Sequence, residues 1–304
     1  MKIAVIGAGA MGSIYGGHLS LNNEVYLVDT NAAVVEHLQK NGLLLQENGE
    51  DVKYTPHAVT STEGIENVDL IILFVKALFS RAALKGNQSL IGENTYVLTL
   101  QNGSGHEDIL SEFVNEDHII IGTTEDNGAV LGYGHIRHGG KGRTNVGMLT
   151  EDKEGFLPKL KASFDSCGFD VLIHENIQQL IWDKLFTNVS LSAVTGILQV
   201  DMGYIAGNEH AWNMTKALVH EAIEVATAMG LTFDEDAMLE KVKKTSEGSP
   251  NGCTSIRADL RDGRRTEVDT ISGSVVRAAK KVGVAVPTHY FLVEMVHAME
   301  EKGK

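Results

Sequence analysis

The sequence predicts an α/β protein: a doubly wound, mostly parallel sheet domain followed by an all-helical domain. Three observations lead there. Short β-rich runs alternate with helical patterns through the first half. A G-x-G-x-x-G run follows the first of these strands directly. From about residue 176 the strand signals stop and long helical patterns take over.

Element by element, "KIAVIGAG" reads as a strand entering a glycine turn and "EVYLVD" as a second strand. "DLIILFVKA" is a third, apolar throughout, as a strand covered on both faces must be. "TYVLTLQNG" and "HIIIGTT" follow, each closing on a polar or glycine-bearing turn. "GYGHIRHGGKGRTNVGML" is richer in glycine, with short alternations, and predicts antiparallel strands added to the sheet edge. His135 and His138 flank Ile136 there and are expected to share one strand face in a structural role. "FDVLIHEN" is the last strand. Long helices follow through "NMTKALVHEAIEVATAMG" and "ISGSVVRAAKKVG". The boundary falls near residues 172 to 178, giving domains over 1–175 and 176–304.

The chain has 304 residues, comfortable for two domains, and 43% are hydrophobic, enough to bury a sizeable core. Lys and Arg total 26 against 40 Asp and Glu, a net charge of −14 that disfavours nucleic acid and anionic membranes. Cys167 and Cys253 are the two cysteines, and their number points to a reduced compartment rather than a disulfide framework. The N-terminus lacks signal-peptide architecture, and no apolar run approaches the ~20 residues of a membrane helix. The expected setting is cytoplasmic, with a small-molecule substrate as partner; a homodimer is compatible with this reading.

"GAGAMG", Gly7-Ala8-Gly9-Ala10-Met11-Gly12, has the dinucleotide-binding spacing in the context that gives it meaning, after a strand and opening a helix. Gly7 permits the tight turn, Gly9 admits a pyrophosphate to the backbone, and Gly12 lets helix and strand pack closely. With Ala10 and Met11 these residues are the expected cofactor loop of a Rossmann-type domain. Asp29 ends the second strand, where a carboxylate accepts from the adenosine ribose hydroxyls and repels a 2′-phosphate. No arginine follows in "DTNAAVVEH", so NAD is favoured over NADP. The bland alternative is that Asp29 merely caps the next helix, a task Thr30 or Asn31 could do equally well. Lys76 and Asn102 lie past the third and fourth strands, on the edge where such sheets bind ligands.

"IWDKLFTNVSLSAVTG" raises a different question. Lys184, Asn188 and Ser192 recur every four residues, so in a regular helix they share one face, framed by Trp182, Leu185, Phe186, Val189 and Leu191. The face is either simply wet or lines a polar cleft. "TEVD" resembles a capping box with Thr266 as N-cap, which places Glu267 in a first helical turn as a dipole-facing carboxylate. Ser255 reads locally as a surface serine. The twelve histidines are scattered and no H-E-x-x-H or similar spacing occurs, so no metal is expected.

Taken in order, G-x-G-x-x-G, "VK", "QNG", "WDKLFTN" and "TEVD" closely resemble the ketopantoate reductase (2-dehydropantoate 2-reductase) family, from about residue 3 to residue 295. The resemblance implies a Rossmann-type domain and a helical domain with the active site between them. It implies Lys184 as general acid, and Glu267 as a second catalytic position near the nicotinamide ribose and reacting hydroxyl. It further implies Asn188, Ser192 and Ser255 as substrate-binding positions, and Asn102 and Lys76 as cofactor contacts. The sequence departs from the family pattern at Ser192, Met202 and Ser272, where asparagines are frequent, and lacks the usual NADP-binding basic residue after the second strand. The implied reaction is reduction of a 2-oxo acid, foremost 2-dehydropantoate to (R)-pantoate, as in pantothenate biosynthesis, with NAD or the family's NADP. The alternative is an NAD-dependent D-2-hydroxyacid dehydrogenase acting on bulkier branched or aromatic 2-oxo acids. A nucleotide sensor without chemistry would need no proton donor such as Lys184.

Overall fold

The computed structural model describes residues 1–302. The chain divides into two compact units: Met1–Gln101 with His106–Ile177, and Asn102–Gly105 with the chain from Gln178 onward.

The first unit runs β1 (Lys2–Ile6), α1 (Ala10–Leu19), β2 (Glu24–Val28), α2 (Ala32–Asn41), β3 (Leu43–Glu47), β4 (Glu50–Tyr54), β5 (His57–Val59), β6 (Leu70–Leu73), α3 (Ser80–Gly86) and β7 (Tyr96–Thr99). It continues through α4 (Glu107–Leu110), β8 (Ile119–Thr124), β9 (Asn127–Gly132), β10 (His135–Gly140), β11 (Arg143–Met148), α5 (Phe156–Asp165) and β12 (Asp170–Ile173). Among the described residues the main sheet has the order β12-β11-β8-β7-β6-β1-β2-β5. Every neighbouring pair is parallel except β8 with β11. The order reverses between β1 and β6, so their carboxyl ends form the crevice in which doubly wound sheets hold ligands. Ile3, Ala4 and Val5 of β1 and all four residues of β6 are fully buried, as strands sandwiched between layers must be.

The glycine-rich stretch departs from the sequence reading. β11 joins the main sheet, inside β12, but β9 and β10 leave it. With β3 and β4 they build a second sheet of order β4-β3-β10-β9. The sequence carried a signal for the β3–β4 hairpin: Asn48-Gly49 sits between Glu47 and Glu50 with φ of 52° and 86°, the conformation that Asn-Gly supplies in two-residue hairpins. His135 and His138 do not share a face. They are three residues apart, and a bulge falls between His135 and Ile136. His138 is buried with Ile136, whereas His135 pairs with Asp51 at 2.9 Å.

The second unit contains α6 (Ile177–Thr187), a π-helical segment over Asn188–Ser192, α7 (Ala193–Leu198), α8 (Gly203–Gly207), α9 (Glu209–Ala228), α10 (Glu235–Gly248), α11 (Ser255–Arg261), α12 (Ser272–Val282) and α13 (Pro287–Glu301). Its core gathers Trp182, Phe186, Val189, Leu218, Val242, Ile256 and Val296. α9 and α10 are capped by the side chains of Asn208 and Asp234. α13 cannot be capped by Val286. Instead Glu221 of α9 accepts from the backbone N–H of Thr288 (2.8 Å) and His289 (2.9 Å). Burial pushes the His289 pKa down to about 4, while its Nε2 meets the Leu218 carbonyl at 3.0 Å. No described helix is long and apolar enough to cross a membrane.

Candidate active site

The glycines of the α1 loop occupy three different environments. Gly7 has φ of +106°, and a Cβ there would meet the Phe74 and Val75 backbone at 2.9 Å. A Cβ on Gly12 would sit 1.7 Å from the Gly7 carbonyl oxygen, so helix and turn touch backbone to backbone. Gly9 is the α1 N-cap, and a Cβ there would meet nothing within 4 Å. The structure therefore keeps open space at Gly9, the glycine expected to admit a pyrophosphate. α1 has no side-chain cap and no acidic residue in its first turn, so its first amides, at Ala10 and Met11, are compatible with an anion. This arrangement fits a dinucleotide.

Beside it a cavity of about 430 Å³ is lined by Gly7, Asp29, Thr30, Thr60, Ser61, Val75, Phe79 and Asn87, among others. Asp29 Oδ2 accepts from the Ala8 N–H at 2.7 Å and Oδ1 from the Asn31 N–H at 2.8 Å. Asp29 thus braces the glycine turn, and the Asn31 side chain caps α2 by accepting from Ala33. The carboxylate retains lone pairs for hydroxyl donors. None of the residues lining this cavity is Lys or Arg. Phe79, 53% exposed, offers an aromatic face at its wall. The sequence reading missed Phe79, Thr60, Ser61 and Asn87, because they lie outside any spacing motif and come together only through the crossovers. Lys76 follows β6 and opens a short 3₁₀ turn over Ala77–Phe79. That turn is pinned by Gln101, whose Nε2 donates to the Val75 carbonyl (2.6 Å) and Ser80 Oγ (3.0 Å). Gln101, the first residue of "QNG", was another missed position.

In the second unit the Asn102–Gly105 loop packs on the turn that carries Glu267. Gly103 has φ of +98°, a Cβ there would meet the Thr270 carbonyl oxygen at 1.9 Å, and the Ser104 N–H donates to that oxygen at 3.0 Å. Thr270 N–H in turn donates to the Glu267 carbonyl at 3.1 Å. The loop that follows Asn102 is thereby fixed against the turn that holds Glu267. The capping box does not form. Glu267 lies in a turn five residues before α12, which begins at Ser272. Thr266 donates both its N–H and its hydroxyl to Glu300 Oε1, each at 2.7 Å, so a tertiary acceptor replaces the expected local one. Val268 and Ile271 anchor the turn in the core, and Glu267 remains half-buried.

Along α6, Trp182, Leu185, Phe186 and Val189 are buried, while Asp183, Lys184, Thr187 and Asn188 form a half-buried polar stripe. Asp183 pairs with Lys241. The regular i, i+4, i+8 face does not continue. Asn188 opens the π-helical segment, whose wider turn breaks the period, and Ser192 is buried at 7% exposure. Hydroxyls around the segment satisfy its backbone: Ser190 Oγ donates to the Phe186 carbonyl (2.6 Å), Thr215 to Ser190 (3.3 Å) and Thr254 to Ser192 (3.4 Å). Thr254 also caps α11, so the exposed Ser255 is held next to a residue bonded to the Ser192 carbonyl. Met202 is tied by backbone to Gly252 on the same side.

Both halves of the chain match a known family. The family described as ketopantoate reductase PanE/ApbA matches residues 3–151, and its C-terminal counterpart matches residues 176–300. A 2-dehydropantoate 2-reductase of Pyrococcus horikoshii is 32% identical, covering 100% of this chain and 99% of its own. One from Lactococcus lactis is 33% identical, with 99% and 98% covered. Among solved structures, a D-mandelate dehydrogenase in a ternary complex with NADH and anilino(oxo)acetate superposes with a TM-score of 0.90 at 34% identity, covering 99% of this chain and 98% of that one.

Proposed function

From the premise that this chain belongs to the ketopantoate reductase family of oxidoreductases, we propose that it reduces a 2-oxo acid with NADH, 2-dehydropantoate first among them. The carrying observation is the cofactor half: a glycine loop with room only at Gly9, beside a cavity that holds Asp29 and no basic residue. The glycine loop and Asp29 would hold the pyrophosphate and adenosine ribose of the dinucleotide, whose nicotinamide end would supply a hydride to the keto carbon. Lys184 donates a proton to the keto oxygen, where negative charge develops, which balances the reaction as oxo acid plus NADH plus a proton to hydroxy acid plus NAD⁺. Glu267 orients the ammonium or the nascent hydroxyl, and Asn188, Ser192 and Ser255 hold the carboxylate end. Lys76 and Asn102 contact the cofactor.

A second reading has its own support. Ser192 replaces a larger amide of the family pattern, and the NADH-bound D-mandelate dehydrogenase is as similar as the curated reductases. On that reading the substrate is a bulkier branched or aromatic 2-oxo acid. Initial rates of NADH and NADPH oxidation with 2-dehydropantoate, 2-ketoisocaproate and phenylpyruvate separate the two. A kcat/KM highest for 2-dehydropantoate supports the first reading, and one highest for phenylpyruvate the second. No turnover with any of them would remove both.

A further inference from the structure

A second cluster of reactive side chains lies in the first unit, outside everything assigned above. His18, in the last turn of α1, places Nε2 at 2.9 Å from Glu47 Oε1 at the end of β3. His138 of β10 places Nδ1 at 2.7 Å from the same oxygen. Its other nitrogen, Nε2, lies 2.9 Å from Asp126 Oδ1. Asp126 is itself fixed, accepting from the Gly142 N–H at 3.2 Å and the Thr124 hydroxyl at 3.1 Å. Tyr54 donates to Glu47 Oε2 at 3.2 Å. The side chains of His18, Glu47, His138 and Asp126 are 6%, 12%, 3% and 2% exposed.

We propose that His18, Glu47 and His138 bind a transition-metal dication of the zinc, cobalt or nickel class. Three observations converge. The donor set is two imidazole nitrogens and one carboxylate oxygen, all within 4.8 Å of one another, the set that suits these metals. Asp126 holds His138 by the far ring nitrogen, the arrangement that fixes the tautomer of a metal-bound histidine and frees Nδ1 as a ligand. Charge gives the third. A dication would balance the two buried carboxylates, Glu47 and Asp126, that meet the imidazoles. The end of α1 adds the partial negative charge of a helix C-terminus.

Tetrahedral ligation at ~2.0–2.1 Å sets neighbouring ligand atoms about 3.3 Å apart, so the two short contacts to Glu47 must open by roughly half an ångström. Glu47 and His138 also line a cavity of about 820 Å³ with Lys141 on its wall, which leaves room for water as a fourth ligand. The ion would join α1, which begins at the glycine loop, to β3 and β10 of the second sheet. Local spacing could not reveal this, since the ligands come from three separate segments.

The test uses the full chain, stripped with a chelator and titrated with CoCl₂ under visible absorption, then with ZnCl₂ by calorimetry and thermal melting. The expected result is saturation at one equivalent, with visible bands of tetrahedral Co²⁺ that Zn²⁺ displaces, and a higher Tm with Zn²⁺. His18→Asn and His138→Asn should abolish the bands. Asp126→Asn should weaken binding about 10- to 100-fold. Glu47→Gln provides a further ligand variant if a histidine variant does not fold. His220→Asn, at a surface histidine between Glu224 and Glu235, should leave binding intact. Absence of saturable uptake by the folded wild type would overturn the proposal and leave a hydrogen-bonded histidine–carboxylate cluster. Uptake that persists in folded His18→Asn and His138→Asn, or disappears in His220→Asn, would overturn it too.

Discussion

The glycine loop of the first unit and the Lys184–Ser192 segment of the second solve their backbone problems differently. Around Gly7, Gly9 and Gly12 the solution is local. Gly7 and Gly12 each answer a neighbour in the turn or beside it, Gly9 faces open space, and the only carboxylate needed, Asp29, arrives at the end of β2. Around Asn188 the solution is distant. A π-helical turn is held by hydroxyls from α9 and the start of α11, through Thr215 and Thr254. The first kind of site is written in spacing. The second is written in contacts that no window of sequence contains.

That contrast explains what was legible. The doubly wound sheet and the helical second unit follow from periodicity and turn residues, whereas the family was legible only as a resemblance carried by motifs in order, from the glycine loop to "TEVD". The separate sheet of β3, β4, β9 and β10 was not read, because β3 pairs in parallel with a strand just over ninety positions away and only the Asn48-Gly49 turn betrays half of it. The Thr266 box failed for a related reason: Thr266 Oγ1 still accepts from the Val268 N–H at 3.2 Å, but the Thr266 N–H goes to Glu300 on α13 and not to a local carboxylate. Ser192 left its predicted face because periodicity arguments assume 3.6 residues per turn, and the π segment does not keep it.

The comparison can be broken most severely at Gly12. Gly12→Ala puts a methyl group 1.7 Å from the Gly7 carbonyl oxygen, so the turn must shift. NADH affinity, read by fluorescence titration, should fall by on the order of 100-fold or more, equivalent to about 3 kcal/mol. Unchanged affinity would show that the loop is not the pyrophosphate cradle.

The second unit has its own dependence on distant contacts at His289. Its pKa is about 4 when folded against an unfolded value of 6.5. The unfolded chain therefore binds the proton first as pH falls. Stability should drop between pH 6.5 and 4, by on the order of 3 kcal/mol if the full shift applies. Urea unfolding of wild type and His289→Gln across that window measures it, and the variant should show the shallower slope. Equal slopes would refute the assignment.

Asp29→Asn sharpens the comparison at lower cost. The amide oxygen can still accept from one of the two loop amides, but the negative charge beside the ribose is gone. The kcat/KM ratio of NADH to NADPH should move toward NADPH by about tenfold, or ~1.4 kcal/mol. A wild type that already prefers NADPH would contradict the reading of Asp29.

Ser192→Ala should have the smallest effect. If Ser192 holds substrate, KM for the oxo acid rises several-fold, about 1 kcal/mol, while Tm barely changes. A change in Tm with KM unaltered would place Ser192 in the packing of the π segment alone.

The central claim is that a half-buried lysine on α6 donates the proton in a nicotinamide-linked reduction, and Lys184→Ala tests it most directly. Turnover with the best oxo acid should fall by ~10²–10⁴-fold, while NADH binding and Tm stay at wild-type values. A variant that retains wild-type kcat across the pH range would contradict the account.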